Sequence, residues 1–171
     1  MNVSPPTRAL RINASELRRQ PGTRRRVELA IPPGDLDLGD PRITGDVVVA
    51  VDLESTIDGI VVGGTTSVGW SDVCRRCLRP IEGVAVAAVD ELYQDHVSGP
   101  DAFPIEGEQL DLAPMSRELV LLELPEAPLC RDDCAGICAV CGRDRNVDPC
   151  DCDNTVRDER WAVLDELDLD S

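Results

Sequence analysis

The chain has no lysine. All seventeen of its basic residues are arginine, a bias that fits a GC-rich genome and carries no functional weight alone. Aromatic residues make up only 2%, as Trp70, Tyr93, Phe103 and Trp161, so stacking platforms for single-stranded nucleic acid are nearly absent. The core must come from Val, Leu, Ile and Ala within the 42% of hydrophobic residues. The single histidine, His96, has no convincing partnership with Ser67, Ser71 or Ser116, which leaves hydrolase chemistry without a base. No glycine-rich phosphate cradle is present, since Gly63-Gly64 reads better as a hairpin turn. We therefore expect no enzyme, no catalytic residues and no small-molecule substrate.

Long hydrophobic runs are also missing. No stretch approaches the roughly 20 apolar residues that cross a bilayer, and Met1–Gln20 carries four arginines and no apolar run of signal-peptide length. The expectation is a cytoplasmic protein without a membrane partner, in which thiols stay reduced and clustered cysteines bind metal.

Charge is abundant and uneven. Of the net −16, residues 1–26 carry +6, from Arg8, Arg11, Arg18, Arg19, Arg24, Arg25 and Arg26 against Glu16, and the remainder carries −22. An acidic body repels phosphate backbones, whereas it attracts a basic protein, and a basic arm can touch RNA. Arg24, Arg25 and Arg26, together with Arg75, Arg76 and Arg79 around a CxxC, are candidate partner-binding residues. The alternative for each group is a solvated surface.

The pattern of apolar residues predicts an α+β fold: an antiparallel, barrel-like sheet, a covering helix and a cysteine-rich, zinc-binding C-terminal segment. Residues 8–12 read as a strand, Ser15 caps a turn over 16–20, and residues 26–31 form a second strand. Residues 46–55 place Val47, Val49, Val51 and Leu53 on one face. Residues 57–62 and 65–70 flank the expected Gly63-Gly64 turn, and residues 83–93 form a further strand with a bulge near Ala87-Ala88. Residues 95–109 read as loop. A helix over 112–124, with Pro114 in its first turn, lines up Leu112, Met115, Leu119 and Leu122 before Pro125 stops it. A last helix near 157–167 aligns Trp161, Leu164 and Leu167. The expected domain spans are a basic segment over 1–26 joining the sheet, a sheet domain with its helix over 27–125, and a metal-binding segment with a C-terminal helix over 126–171.

The eight cysteines are Cys74, Cys77, Cys130, Cys134, Cys138, Cys141, Cys150 and Cys152. The sharpest unit is Cys138-Ala139-Val140-Cys141-Gly142, where two thiolates share one metal across a tight turn and the glycine relieves crowding. Cys150-Asp151-Cys152 is a weaker unit and needs a bend for both sulfurs to bind one ion. Few apolar residues lie between them, so metal must supply the folding energy that burial does not. Zinc is the expected ion, one or two per chain; an iron–sulfur cluster lacks the usual ferredoxin spacings, and disulfide or redox cysteines are the remaining option. The thiols divide either as two sites of four, Cys74 and Cys77 completing the second, or as one site with spare thiols. A redox CxxC opens a helix after a strand, whereas Cys74 and Cys77 join two strands.

These residues resemble the YceD family. The resemblance is carried by the CRRC at 74–77, Leu124-Pro125 before Cys130, Gly136-Ile137-Cys138, Cys141-Gly142, Asn146, Cys150-Asp151-Cys152 and Asp158-Glu159-Arg160. The family often has Pro where Glu159 stands, and Leu-Asn around Asn146. The resemblance implies a bacterial-type, non-enzymatic factor needed for accumulation of 23S ribosomal RNA, hence large-subunit biogenesis. Its partner would be the pre-ribosomal large subunit, through either 23S rRNA or a basic ribosomal protein. Two other classes compete: a thiol-redox or metal-transfer protein using the CxxC, and a zinc-ribbon module associated with transcription, which the net charge disfavours.

Overall fold

The computed structural model describes residues 8–97, 99, 102–153 and 160. The expected helix over 157–167 lies outside these residues except for Arg160. The chain divides into two compact units, one of Met1–Asp72 and Pro80–Glu126, the other of Val73–Arg79 and Ala127–Ser171. The short segment Val73–Arg79 thus leaves the first unit between two of its strands and groups with the cysteine-rich segment.

The first unit is α+β. Its strands are β1 (Arg11–Asn13), β2 (Arg24–Ile31), β3 (Ile43–Ser55), β4 (Ile60–Val73), β5 (Pro80–Gln94), β6 (Ala102–Glu106) and β7 (Gln109–Asp111), with helices α1 (Ser15–Arg19) and α2 (Ala113–Glu123). They form one sheet in the order β1-β7-β6-β5-β4-β3-β2, curled into a half-barrel. Period-two alternation drives β3, whose Val47, Val49, Val51 and Leu53 are all buried because alternate side chains face the same side of a pleated strand. Val27 and Ile31 of β2 pair with Val51 and Val47 and extend that face. Full burial of each such side chain stabilises by about 1.5–3 kcal/mol relative to exposure.

The turn between β3 and β4 is Thr56–Gly59, closed by Thr56 N–H donating to the Gly59 carbonyl at 2.8 Å. Gly63-Gly64 is therefore not the turn. It lies within β4, opposite Asp52 and Val51. Gly64 has φ +149°, and a Cβ there would run into the Ala50 carbonyl. The glycine answers a close approach of two backbones, the other reason a strand carries one. Burial of Ala85, Ala87, Val89 and Tyr93 in β5 continues without a change of phase through Ala87-Ala88, where a bulge was expected, and Val84 and Val86 face outward.

Residues 95–109 are more structured than their polar composition predicts. Within them β6 pairs in parallel with β5, Tyr93 against Phe103, and antiparallel with β7. The Tyr93 and Phe103 rings stack at 5.2 Å, and Tyr93 Oη donates to the Asp111 carbonyl at 3.1 Å. The pairs β1–β7, β2–β3, β3–β4 and β6–β7 are antiparallel, and β5–β6 is parallel. Ser15 is the first residue of α1 rather than its cap: the cap position is Ala14, and Asn13 Oδ1 accepts the Ser15 N–H at 2.9 Å. In α2, Asp111 accepts the Ala113 N–H at 3.0 Å. This helix buries Met115, Ser116 and Val120, while Leu122 is 75% exposed and Leu124, just beyond the end, is buried. Arg42 closes the unit by donating to Asp40 and to the Pro125 carbonyl, and the paired guanidinium holds the Asp40 carboxyl below its ordinary range.

Candidate metal centres

Among the described residues of the second unit, the buried side chains are Pro128 and the cysteines Cys74, Cys77, Cys134 and Cys138, and the main apolar cluster described lies in the first unit. What organises the second unit is two copies of one turn. In the first, Leu78 N–H donates to the Cys74 carbonyl at 2.9 Å and Cys74 N–H to the Arg79 carbonyl at 2.8 Å. In the second, Gly142 N–H donates to Cys138 at 2.9 Å and Cys138 N–H to Arg143 at 2.8 Å. Both turns need a left-handed residue after the second cysteine: Gly142 at φ +73° and, less comfortably, Leu78 at φ +59°.

Each turn recruits two further cysteines. Cys74, Cys77, Cys130 and Cys134 form one group, and Cys138, Cys141, Cys150 and Cys152 the other, with every sulfur of a group within 4.8 Å of the rest. Cys74 Sγ lies 3.8 Å from Cys134 Sγ, and Cys77 Sγ 3.6 Å from Cys130 Sγ. A tetrahedron with metal–sulfur bonds of about 2.3 Å has edges of about 3.8 Å. The sulfurs close on one point, so each group could hold a single ion, whereas a polynuclear cluster needs ligands spread across its diameter. None of the eight cysteines is in a disulfide. Of the two divisions open from spacing, four and four is the one formed. The bend required at Cys150-Asp151-Cys152 is present: the Cys152 N–H reaches back to the Cys150 sulfur and lowers its pKa, though the neighbouring thiols leave that pKa raised on balance.

Proton sharing within each group shows what a cation would change. Burial pushes the Cys74 thiol up, but backbone N–H groups of Cys77, Cys130 and Arg76 outweigh it and bring Cys74 down to about 6. Cys138 falls to about 6, chiefly because the Cys141 and Val140 N–H groups point at its sulfur. Burial pushes Cys130 up to about 12, and the Cys141 thiol beside it pushes Cys152 up to about 12. Four adjacent thiolates repel; a divalent ion at their centre removes the penalty.

Asn146 was singled out by the sequence only as part of a resemblance. Its Nδ2 donates to Cys134 Sγ at 3.4 Å and to Asp144 Oδ1 at 2.6 Å, while its Oδ1 accepts the Ala135 N–H at 2.9 Å and Arg131 at 2.8 Å. No spacing rule would have found it, because the contact depends on how the 142–149 loop folds back.

The candidate arginines differ. Arg24 pairs with Glu54 at 2.9 Å, Arg25 reaches the Asn13 carbonyl at 3.4 Å, and Arg26 lies 3.9 Å from both Glu28 and Asp52, so the basic end of edge strand β2 is largely answered by its neighbours. Arg76 donates to the Asp132 and Cys134 carbonyls, and Arg79 pairs with Asp144 at 3.5 Å. The Arg75 side chain has no hydrogen bond or ion pair with the described residues. Cys74 and Cys77 are buried and Cys141 is exposed. No helix among the described residues is long and apolar enough to cross a membrane.

Comparison with known proteins agrees with the motif. An uncharacterized protein of Mycobacterium bovis is 34% identical over 122 residues, covering 67% of this chain and 58% of its own. An uncharacterized protein of Mycobacterium leprae is 30% identical over 122 residues, covering 67% and 56%. The match thus spans little more than half the length of these curated relatives. The chloroplastic large ribosomal RNA subunit accumulation protein YCED homolog 1 of Arabidopsis thaliana is 34% identical over 65 residues, covering 38% of this chain and 20% of its own. No solved structure matches. The family model described as "Large ribosomal RNA subunit accumulation protein YceD" matches residues 62–168, which contain all eight cysteines, and the chain belongs to the YceD family.

Proposed function

We propose that this chain is a cytoplasmic, non-enzymatic factor in large ribosomal subunit biogenesis that supports 23S rRNA accumulation, with structural zinc in both four-cysteine sites. The observation that carries the reading is the family match over residues 62–168. The zinc assignment draws on the tetrathiolate spacing and on the burial of Cys74, Cys77, Cys134 and Cys138; zinc forms such closed four-sulfur sites without redox chemistry. The partner is the pre-ribosomal large subunit, through 23S rRNA or a basic ribosomal protein, and the acidic chain favours the protein contact electrostatically. Arg75, whose charge is unanswered within the described residues, is the first arginine to contribute.

The test is depletion and complementation in a host that carries the protein, with 23S and 16S rRNA quantified and cell extracts sedimented. The expected result is a selective loss of 23S rRNA restored by the wild-type chain, with the protein travelling among large-subunit precursors. Unchanged 23S rRNA and sedimentation only as free protein would end the ribosomal reading. Metal content measured on protein purified without chelator is expected near two zinc per chain.

A competing reading, metal transfer, is favoured by one observation: Cys141 is exposed. It requires rapid alkylation of Cys141 in the metal-loaded protein, and full protection of all thiols removes it.

A further inference from the structure

We infer that Asn146 couples the two metal sites, so that an ion in either one tightens the hold on the other; the inference rests on the zinc reading above. Asn146 lies between two ligands of the second site, Cys141 and Cys150, yet its amide contacts a ligand of the first, donating to Cys134 Sγ at 3.4 Å. The orientation of that amide is forced. The Ala135 N–H is a donor and needs the amide oxygen, at 2.9 Å, as does Arg131 at 2.8 Å. The NH2 group must then face the thiolate and the Asp144 carboxylate, both acceptors. All four amide contacts are satisfied in one orientation and none in the other.

The loop that carries Asn146 is fastened to the first site at further points. Ile137 and Asp144 form a bridge, and Arg145 N–H donates to the Gly136 carbonyl at 2.9 Å. Ile137 N–H donates to the Arg76 carbonyl at 2.8 Å, inside the first cysteine turn, and Asp144, which also accepts the Asn146 N–H, pairs with Arg79 just beyond it.

A metal bound by Cys141 and Cys150 closes the loop over 142–149 and removes the conformational freedom that would otherwise oppose placing Asn146. The first site then finds its Cys134 thiolate already oriented and its charge shared with an N–H donor. By linkage, an ion in the first site, by fixing Cys134, favours the loop conformation that the second site needs. Asn146 is a positioning residue: it touches no metal and acts through Cys134.

The experiment measures zinc retention of the full chain against a competing chelator, with cobalt substitution and the thiolate-to-cobalt absorption band as a second readout. Cys150→Ser with Cys152→Ser disables the second site and reports on the first alone. The expected result is a loss of first-site affinity of about tenfold or more in that variant. Asn146→Ala should give a similar loss with both sites still fillable, and combining it with the disabled second site should cost the first site little more. Asn146→Asp, the same size but with an oxygen against the Cys134 sulfur and the Asp144 carboxylate, should lose at least as much. Far-UV circular dichroism checks that the sheet is intact in each variant. Two zinc ions per chain with first-site affinity within about twofold of wild type in Asn146→Ala and Asn146→Asp, a change too small for a positioning role, would overturn the coupling and leave the zinc reading standing. A chain that takes up no zinc would overturn both.

Discussion

Leu78 holds the position that Gly142 holds in the second cysteine turn, with the same N–H to carbonyl bond and a left-handed φ of +59°. That conformation costs a leucine about 1–2 kcal/mol, and the side chain, 60% exposed, recovers little of it by burial. Leu78→Gly is therefore expected to stabilise the metal-loaded chain by up to about 1 kcal/mol, once the extra freedom of glycine in the unfolded chain is subtracted; thermal unfolding with metal present measures it. Asp144 supplies a prediction with a definite sign. The Asn146 backbone and side-chain N–H groups hold its carboxyl below the ordinary range, so its contribution is present above the unfolded carboxyl pKa, about 3.9. That contribution is lost as pH falls through the lower folded value. Asp144→Ala should be less stable than wild type at pH 7, and the two denaturation curves should converge below about pH 4. Metal uptake should also release protons. With Cys74 and Cys138 near 6 and Cys130 and Cys152 near 12, binding at pH 7 is expected to displace protons at both sites, from Cys130 and Cys152 first of all. Calorimetry in buffers of different ionisation enthalpy counts them, and affinity should rise with pH.

At the scale of elements, the strands were legible where one face is buried and the other wet. The alternation of Val47, Val49, Val51 and Leu53 has a single structural solution. The Gly63-Gly64 pair was misleading because a glycine marks either a turn or a close approach, and only the pairing partner tells which. Gly64→Ala is expected to destabilise the sheet by several kcal/mol, since the new Cβ would meet the Ala50 carbonyl in rigid backbone; chemical denaturation followed by circular dichroism measures it. Helix α2 offers a paired comparison. Met115→Ala should cost about 2–5 kcal/mol, whereas Leu122→Glu, at a 75% exposed position, should change stability little. The periodicity alone assigned Leu122 to the buried face; the actual stripe passes through Met115, Ser116 and Val120 to Leu124. Strand β6 escaped notice because parallel pairing with β5 leaves only Ile105 of its residues buried.

For the whole molecule, the division into two units separates two sources of stability. The first has an apolar cluster running from Leu10 to Leu124; among the described residues of the second, cysteines make up most of the buried side chains. A strong chelator should unfold the second unit and leave the first standing. Amide exchange in residues 127–153 should accelerate steeply while the β3 and β4 amides stay protected. Equal loss of protection in both would mean that the sheet depends on the metal sites as well.

The amino-acid sequence alone determined the fold class, the bulk of the sheet, the cysteine inventory and the family, because these follow from local periodicity, from side-chain chemistry and from motifs contiguous in the chain. The tertiary structure decided everything that depends on residues distant in sequence. It brought Cys74 and Cys77 to Cys130 and Cys134, left Cys138, Cys141, Cys150 and Cys152 to each other, answered Arg24 with Glu54, and laid Asn146 against Cys134. Spacing limits which thiols can reach a common ion, but many partitions satisfy it. The path of the backbone, set by the Val73–Arg79 excursion and by two left-handed turn residues, selects one.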